Sequence, residues 1–94
     1  MSGSTPQRRE VRYRGEVQGV GFRYTTVRAA RGYEVTGFVR NEPDGSVRLV
    51  VEGTPTEIEA FLRDLADGMS GNIRDVVLRE LPATGEFSGF TIRR

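Results

Sequence analysis

Ninety-four residues fit one domain, large enough to bury a core and too short for two. A makeup of 36% apolar and 29% charged residues is that of a globular chain, and its 14 basic residues, all arginine, are nearly cancelled by 13 carboxylates to a net charge of +1. With no cysteine and no histidine, disulfides, thiolate zinc sites and the commonest general base are excluded, so chemistry must run on arginine, asparagine, carboxylates, hydroxyls or backbone.

In chain order, residues 1–8 are small and polar and are expected to form a disordered leader, with one domain over 9–94. Met1–Arg9 holds no apolar stretch of the kind a signal peptide needs. The longest apolar runs, Leu49-Val50-Val51 and Val76-Val77-Leu78, fall far short of a membrane span. Arg9–Val17 alternates as a half-buried strand should, with Val11, Tyr13, Gly15 and Val17 on one face. Gln18-Gly19-Val20-Gly21-Phe22-Arg23 then reads as a strand-to-helix loop. Its glycines let the backbone approach a ligand, its amides point from the positive end of a helix dipole, and Arg23 adds a guanidinium that grips an anion with two bonds. Phe22 is the expected anchor beneath it.

Phe22–Arg31 is expected as a short helix with a thin apolar stripe, ended at Gly32. Val35–Glu42 follows as a strand with Val35, Gly37, Val39 and Asn41 on one face. Glu42-Pro43-Asp44-Gly45 has turn chemistry, and Ser46–Gly53 completes a hairpin. Thr54-Pro55-Thr56-Glu57 starts a second helix as N-cap, first-turn proline and capping box. Ile58, Phe61, Leu62 and Leu65 form its apolar stripe, and Gly68 is expected to end it. Asn72–Leu81 and Gly89–Arg93 are expected strands.

The order is that of an α+β ferredoxin-like sandwich, βαββαβ with a short extra C-terminal strand, an antiparallel sheet with two helices on one face. In this topology the first two strands run parallel with the third between them, so both C-terminal ends lie at one edge. The loop ending at Arg23 and Asn41 at the end of the second strand therefore meet. Taken singly, Arg23 reads as a solvated arginine and Asn41 as a turn former. Taken with the glycine loop and the shared edge, they read as a site.

The two motifs resemble those of acylphosphatases. Gly15-Glu16-Val17-Gln18-Gly19-Val20-Gly21-Phe22-Arg23 is similar to the first family motif and Gly37-Phe38-Val39-Arg40-Asn41 to the second. The turn Pro43-Asp44-Gly45 and the closing Ser88-Gly89-Phe90, with Ile92, also match. Phe38 stands where the family usually has tryptophan, and Tyr33-Glu34 where leucine-glycine is common. The resemblance implies hydrolysis of the carboxyl–phosphate bond of small acyl phosphates without metal or cofactor. It assigns the phosphate to Arg23 and to the backbone amides of Gln18, Gly19, Val20, Gly21 and Phe22, and the attacking water to Asn41.

A small-molecule acyl phosphate is thus the expected partner, with no nucleic acid and no membrane, and the chain is expected to be a cytoplasmic monomer. An RNA-recognition module shares the topology, but it displays stacking aromatics on its central strands. Ser46–Val51 has none.

Overall fold

Alternation along the first strand puts Arg9, Val11 and Tyr13 on the side where the helices pack. In the computed structural model, which describes residues 5–94, the elements run β1 (Gln7–Gly15), α1 (Phe22–Ala30), β2 (Thr36–Asn41), β3 (Val47–Gly53), α2 (Pro55–Gly68), β4 (Ile73–Pro82) and β5 (Phe90–Arg93). The sheet order is β4-β1-β3-β2-β5. β1 and β2 are each antiparallel to β3, and β4 is antiparallel to β1, while β5 joins β2 in parallel. The sheet is therefore antiparallel through its main four strands and mixed as a whole.

One face carries the core. Val11, Tyr13, Val39, Val47, Leu49 and Val51 from the strands meet Phe22 and Ala30 of α1 and Ile58, Phe61 and Leu65 of α2. Each large side chain so buried contributes about 1.5–3 kcal/mol of transfer free energy. The thin stripe of α1 is helped by Thr26, fully buried, whose hydroxyl donates to Phe22 O at 2.8 Å.

The other sheet face is closed by charge and aromatics. Phe38, 4% exposed, lies under the Arg93 guanidinium at 4.0 Å and meets Phe87 edge-on at 5.9 Å. Its ring is covered and offers no stacking surface.

Element ends differ from expectation in instructive ways. β1 begins at Gln7, inside the expected leader, because Gln7 and Arg8 find ladder partners on both sides in Gly53 and Glu52 of β3 and Pro82 and Leu81 of β4. Residues 1–4, the rest of that leader up to Thr5, lie outside the described residues. At the other end β1 stops at a register shift between Arg14 and Gly15, and Glu16 N–H donates to Asn72 O, so Asn72 belongs to the approach to β4. α1 closes by i→i+3 bonds, Gly32 N–H to Ala29 O and Tyr33 N–H to Ala30 O, with no left-handed residue. Gly68 is still helical, and Met69 is the C-cap.

Candidate active site

Both strands that feed the site end level with each other. Tyr13 of β1 and Asn41 of β2 are both paired with Val47 of β3, so the three side chains share the helix-side face. Asn41 is thereby aimed toward the start of α1, where the glycine loop ends.

That loop needs its glycines for their dihedrals. Gly19 has φ 76° and Gly21 φ 80°, left-handed values, while a Cβ at either would meet nothing within 4 Å. Strain, not crowding, is what a side chain would introduce there. Phe22 anchors the loop as expected, 1% exposed with its ring 5.0 Å from Tyr13. Thr25 N–H to Gly21 O is the first helical bond, so the amides of Phe22, Arg23 and Tyr24 precede the ladder. No side chain caps this end and no acid stands in the first turn, which leaves a positively polarised terminus.

Arg23 and Asn41 line one cavity of about 150 Å³ together with Gly19, Gly21 and Phe22. Arg23 is half-buried and, among the described residues, forms no ion pair, unlike Arg8, Arg9, Arg12 and Arg40. Asn41 Oδ1 is buried, and no described group donates to it. A buried acceptor left unsatisfied costs about 1–3 kcal/mol, so it calls for a donor from water or a ligand.

Gln18 and Val20 do not line the cavity. Val20 stands exposed at the loop tip, and the Gln18 side chain donates Nε2 to Glu42 O and Ser46 O, both at 2.8 Å. Those two bonds tie the loop to the β2–β3 turn and fix the distance between the two motifs. Next to Asn41, Glu42 is paired with Arg40 (Nε to Oε2, 2.7 Å), and that hydrogen bond holds its carboxyl below the ordinary range despite opposing desolvation. It is thus a poor base at neutral pH. No cluster of three His, Cys, Asp or Glu side chains among the described residues is placed to hold a metal.

Three contributors escaped the sequence reading. The Gln18 amide acts across the fold, and a long polar side chain gives no local sign of its partner. Tyr24 and Ile92 form apolar walls of the cavity. Tyr24 adjoins Arg23 in sequence and could have been found. Ile92 arrives only because β5 pairs with β2, opposite Val39.

The acylphosphatase family model matches residues 9–92, which takes in both motifs and the closing strand. The chain belongs to the acylphosphatase family. An acylphosphatase from Arthrobacter sp. (strain FB24) is 48% identical over 86 residues, covering 90% of this chain and 79% of that one. One from Salinibacter ruber is 42% identical with full coverage of both. Among solved structures, the acylphosphatase from Bacillus subtilis superposes with a TM-score of 0.86 at 27% identity, covering 94% of this chain and 99% of that one. Acylphosphatases are hydrolases, and acyl phosphate hydrolysis is the activity that membership carries. The family's frequent tryptophan is replaced here by Phe38 on the sheet face away from the cavity. At the Tyr33-Glu34 departure, Glu34 N–H donates to Glu57 Oε1 at 2.8 Å, so the turn leaving α1 is held by α2.

Proposed function

We propose that the chain splits small acyl phosphates by direct attack of water on phosphorus. Arg23 and the loop amides of Gly19, Gly21 and Phe22, which line the cavity, hold the phosphoryl group, and Asn41 holds the water. Phosphorus gains an oxygen from water while its bond to the acyl oxygen breaks. The electron pair leaves with the carboxylate, and the proton released goes out with the phosphate product. The leaving group resembles a Glu carboxylate, with a pKa of about 4.3, so it departs as an anion with no general acid. A loose transition state asks for charge stabilisation and alignment, which a fixed guanidinium and a ring of N–H donors supply. Asn41 offers both an acceptor and a donor, enough to orient water without titrating.

The observation that carries this reading is the orphaned, buried Asn41 Oδ1 in the same small cavity as the unpaired Arg23. The test is hydrolysis of benzoyl phosphate with a chelator present. Turnover is expected to persist, to be inhibited by inorganic phosphate, and to stay nearly flat between about pH 5.5 and 8, because the mechanism uses no side chain as a general acid or base. Loss of turnover on chelation, or a steep bell in that window, would overturn the mechanism.

A further inference from the structure

The strand-to-helix loop is stitched to the rest of the molecule on two sides. At its stem Asn72 Nδ2 donates to Glu16 O at 3.0 Å and Glu16 N–H donates to Asn72 O at 2.9 Å, which ties it to the approach to β4. Further along, half-buried Gln18 reaches the turn leaving β2 through its two bonds to Glu42 O and Ser46 O. Among the described residues, no other side chain bonds the loop to β2 or to that turn. Glu42 follows directly on Asn41, and Gln18 directly precedes left-handed Gly19. The bridge therefore joins the neighbour of the asparagine to the neighbour of the phosphate seat.

The turn does not need this bridge in order to form. Glu42 O already accepts Gly45 N–H at 3.1 Å, and Ser46 O already accepts Glu42 N–H at 2.9 Å. Asp44 Oδ1 braces the same turn by accepting from Ser46 N–H at 2.9 Å and from Ser46 Oγ at 2.6 Å. A carbonyl oxygen has two lone pairs, and Gln18 takes the second of each. Removing the amide leaves both acceptors with a partner, so the stability at stake is small. What the amide adds is a fixed spacing between two separate stretches of chain.

Phosphate and water depend on that spacing differently. Gly19, Gly21, Phe22 and Arg23 come from one continuous run, so the seat they form moves as a unit. Asn41 arrives from another strand. An attacking water must be aligned with phosphorus in the transition state, whereas bound phosphate alone makes no such demand.

We infer that Gln18 is a positioning residue for hydrolysis: its side chain holds the β2 end at the distance from the loop that lets a water on Asn41 attack the seated phosphoryl group. This rests on the assignment of the water to Asn41.

Gln18→Met keeps the length of the side chain and removes both donors. With benzoyl phosphate, kcat is expected to fall roughly tenfold while the inhibition constant of inorganic phosphate stays within about twofold of the parent. An unshifted inhibition constant also shows that the seat is folded, and urea unfolding should give a midpoint near the parent's. The double variant decides the role. Asn41→Ala has no held water left to misalign, so adding Gln18→Met should lower kcat by less than about twofold. Parent-like kcat in Gln18→Met overturns the inference, as does an inhibition constant that rises in step with the loss of kcat. So does the full loss repeated on Asn41→Ala. Parent-like turnover in Asn41→Ala would overturn the water assignment itself; a loss there with none in Gln18→Met overturns the role of Gln18 alone.

Discussion

The first turn of α2 is furnished with its own partners, whereas that of α1 is bare. Thr54 caps α2 by accepting from Glu57 N–H at 3.4 Å, Pro55 removes one donor, and Glu57 places an acid at the positive end. α1 starts from left-handed Gly21 with no capping side chain and no acid, and adds a cation, Arg23, to an end already positive. Both helices pack on the same sheet face, so the difference is not forced by topology. A helix start built for stability satisfies its donors from its own side chains; one that leaves them free gives up that stabilisation and gains an anion seat. The molecule also shows such a seat filled. Glu52, on β3 and 4% exposed, accepts from Thr84 N–H, Gly85 N–H and Thr84 Oγ, with Arg8 at 3.4 Å. Burial works against that carboxylate's charge, yet the backbone and hydroxyl donors with Arg8 hold its pKa below the ordinary value. Two amides, a hydroxyl and an arginine thus suffice to keep an anion charged within this fold.

Emptying the open start further should have the largest effect. Arg23→Ala is expected to cut turnover of an acyl phosphate by at least ~10²-fold, the usual cost of losing a preorganised donor. Arg23→Lys should recover only part, because an ammonium cannot make the paired bonds of a guanidinium. Steady-state kinetics on benzoyl phosphate measure both. Full activity in Arg23→Ala would mean that the bare helix start alone holds the phosphate.

Next in size is Asn41→Ala, which separates the water from the phosphate. Turnover should fall by roughly 10- to 10²-fold, as for a misaligned reactant. The inhibition constant of inorganic phosphate should hardly move, since the amide is assigned to the water. An equal loss in both quantities would shift Asn41 from water to substrate.

What could be read from the chain follows from where the information resides. Alternation in β1, the apolar stripe of α2 and the turn at Pro43–Gly45 are local, and local pattern defines elements. The meeting of Arg23 with Asn41 followed from topology, because antiparallel pairing of both strands with β3 brings their ends level at Val47. Contacts made by long side chains across the fold were not legible. Gln18 was counted for its amide alone, yet its side chain ties the loop to the β2–β3 turn. Glu57 was expected to close a capping box, and its carboxylate instead accepts from Glu34 N–H on the turn after α1. Ile92 reached the cavity through a parallel pairing that the pattern of four short-strand residues does not encode.

The smallest effect belongs to the closed start. Thr54→Ala removes the cap of α2, and such caps contribute about 1 kcal/mol. The 3.4 Å bond is long, and Ile58 N–H to Thr54 O at 2.9 Å survives the substitution because it uses only backbone. The loss read from urea unfolding should therefore be at or below ~1 kcal/mol, with an unchanged dependence on denaturant. Turnover on benzoyl phosphate should match the parent, since Thr54 lies at the other end of β3 from Val47, with which Asn41 pairs. If Thr54→Ala instead lowered turnover as Arg23→Ala does while costing little stability, the two helix starts would not be divided between holding the fold and holding the substrate. The bare terminus of α1 would then need a different explanation from the one its loop, its arginine and its orphaned asparagine oxygen support.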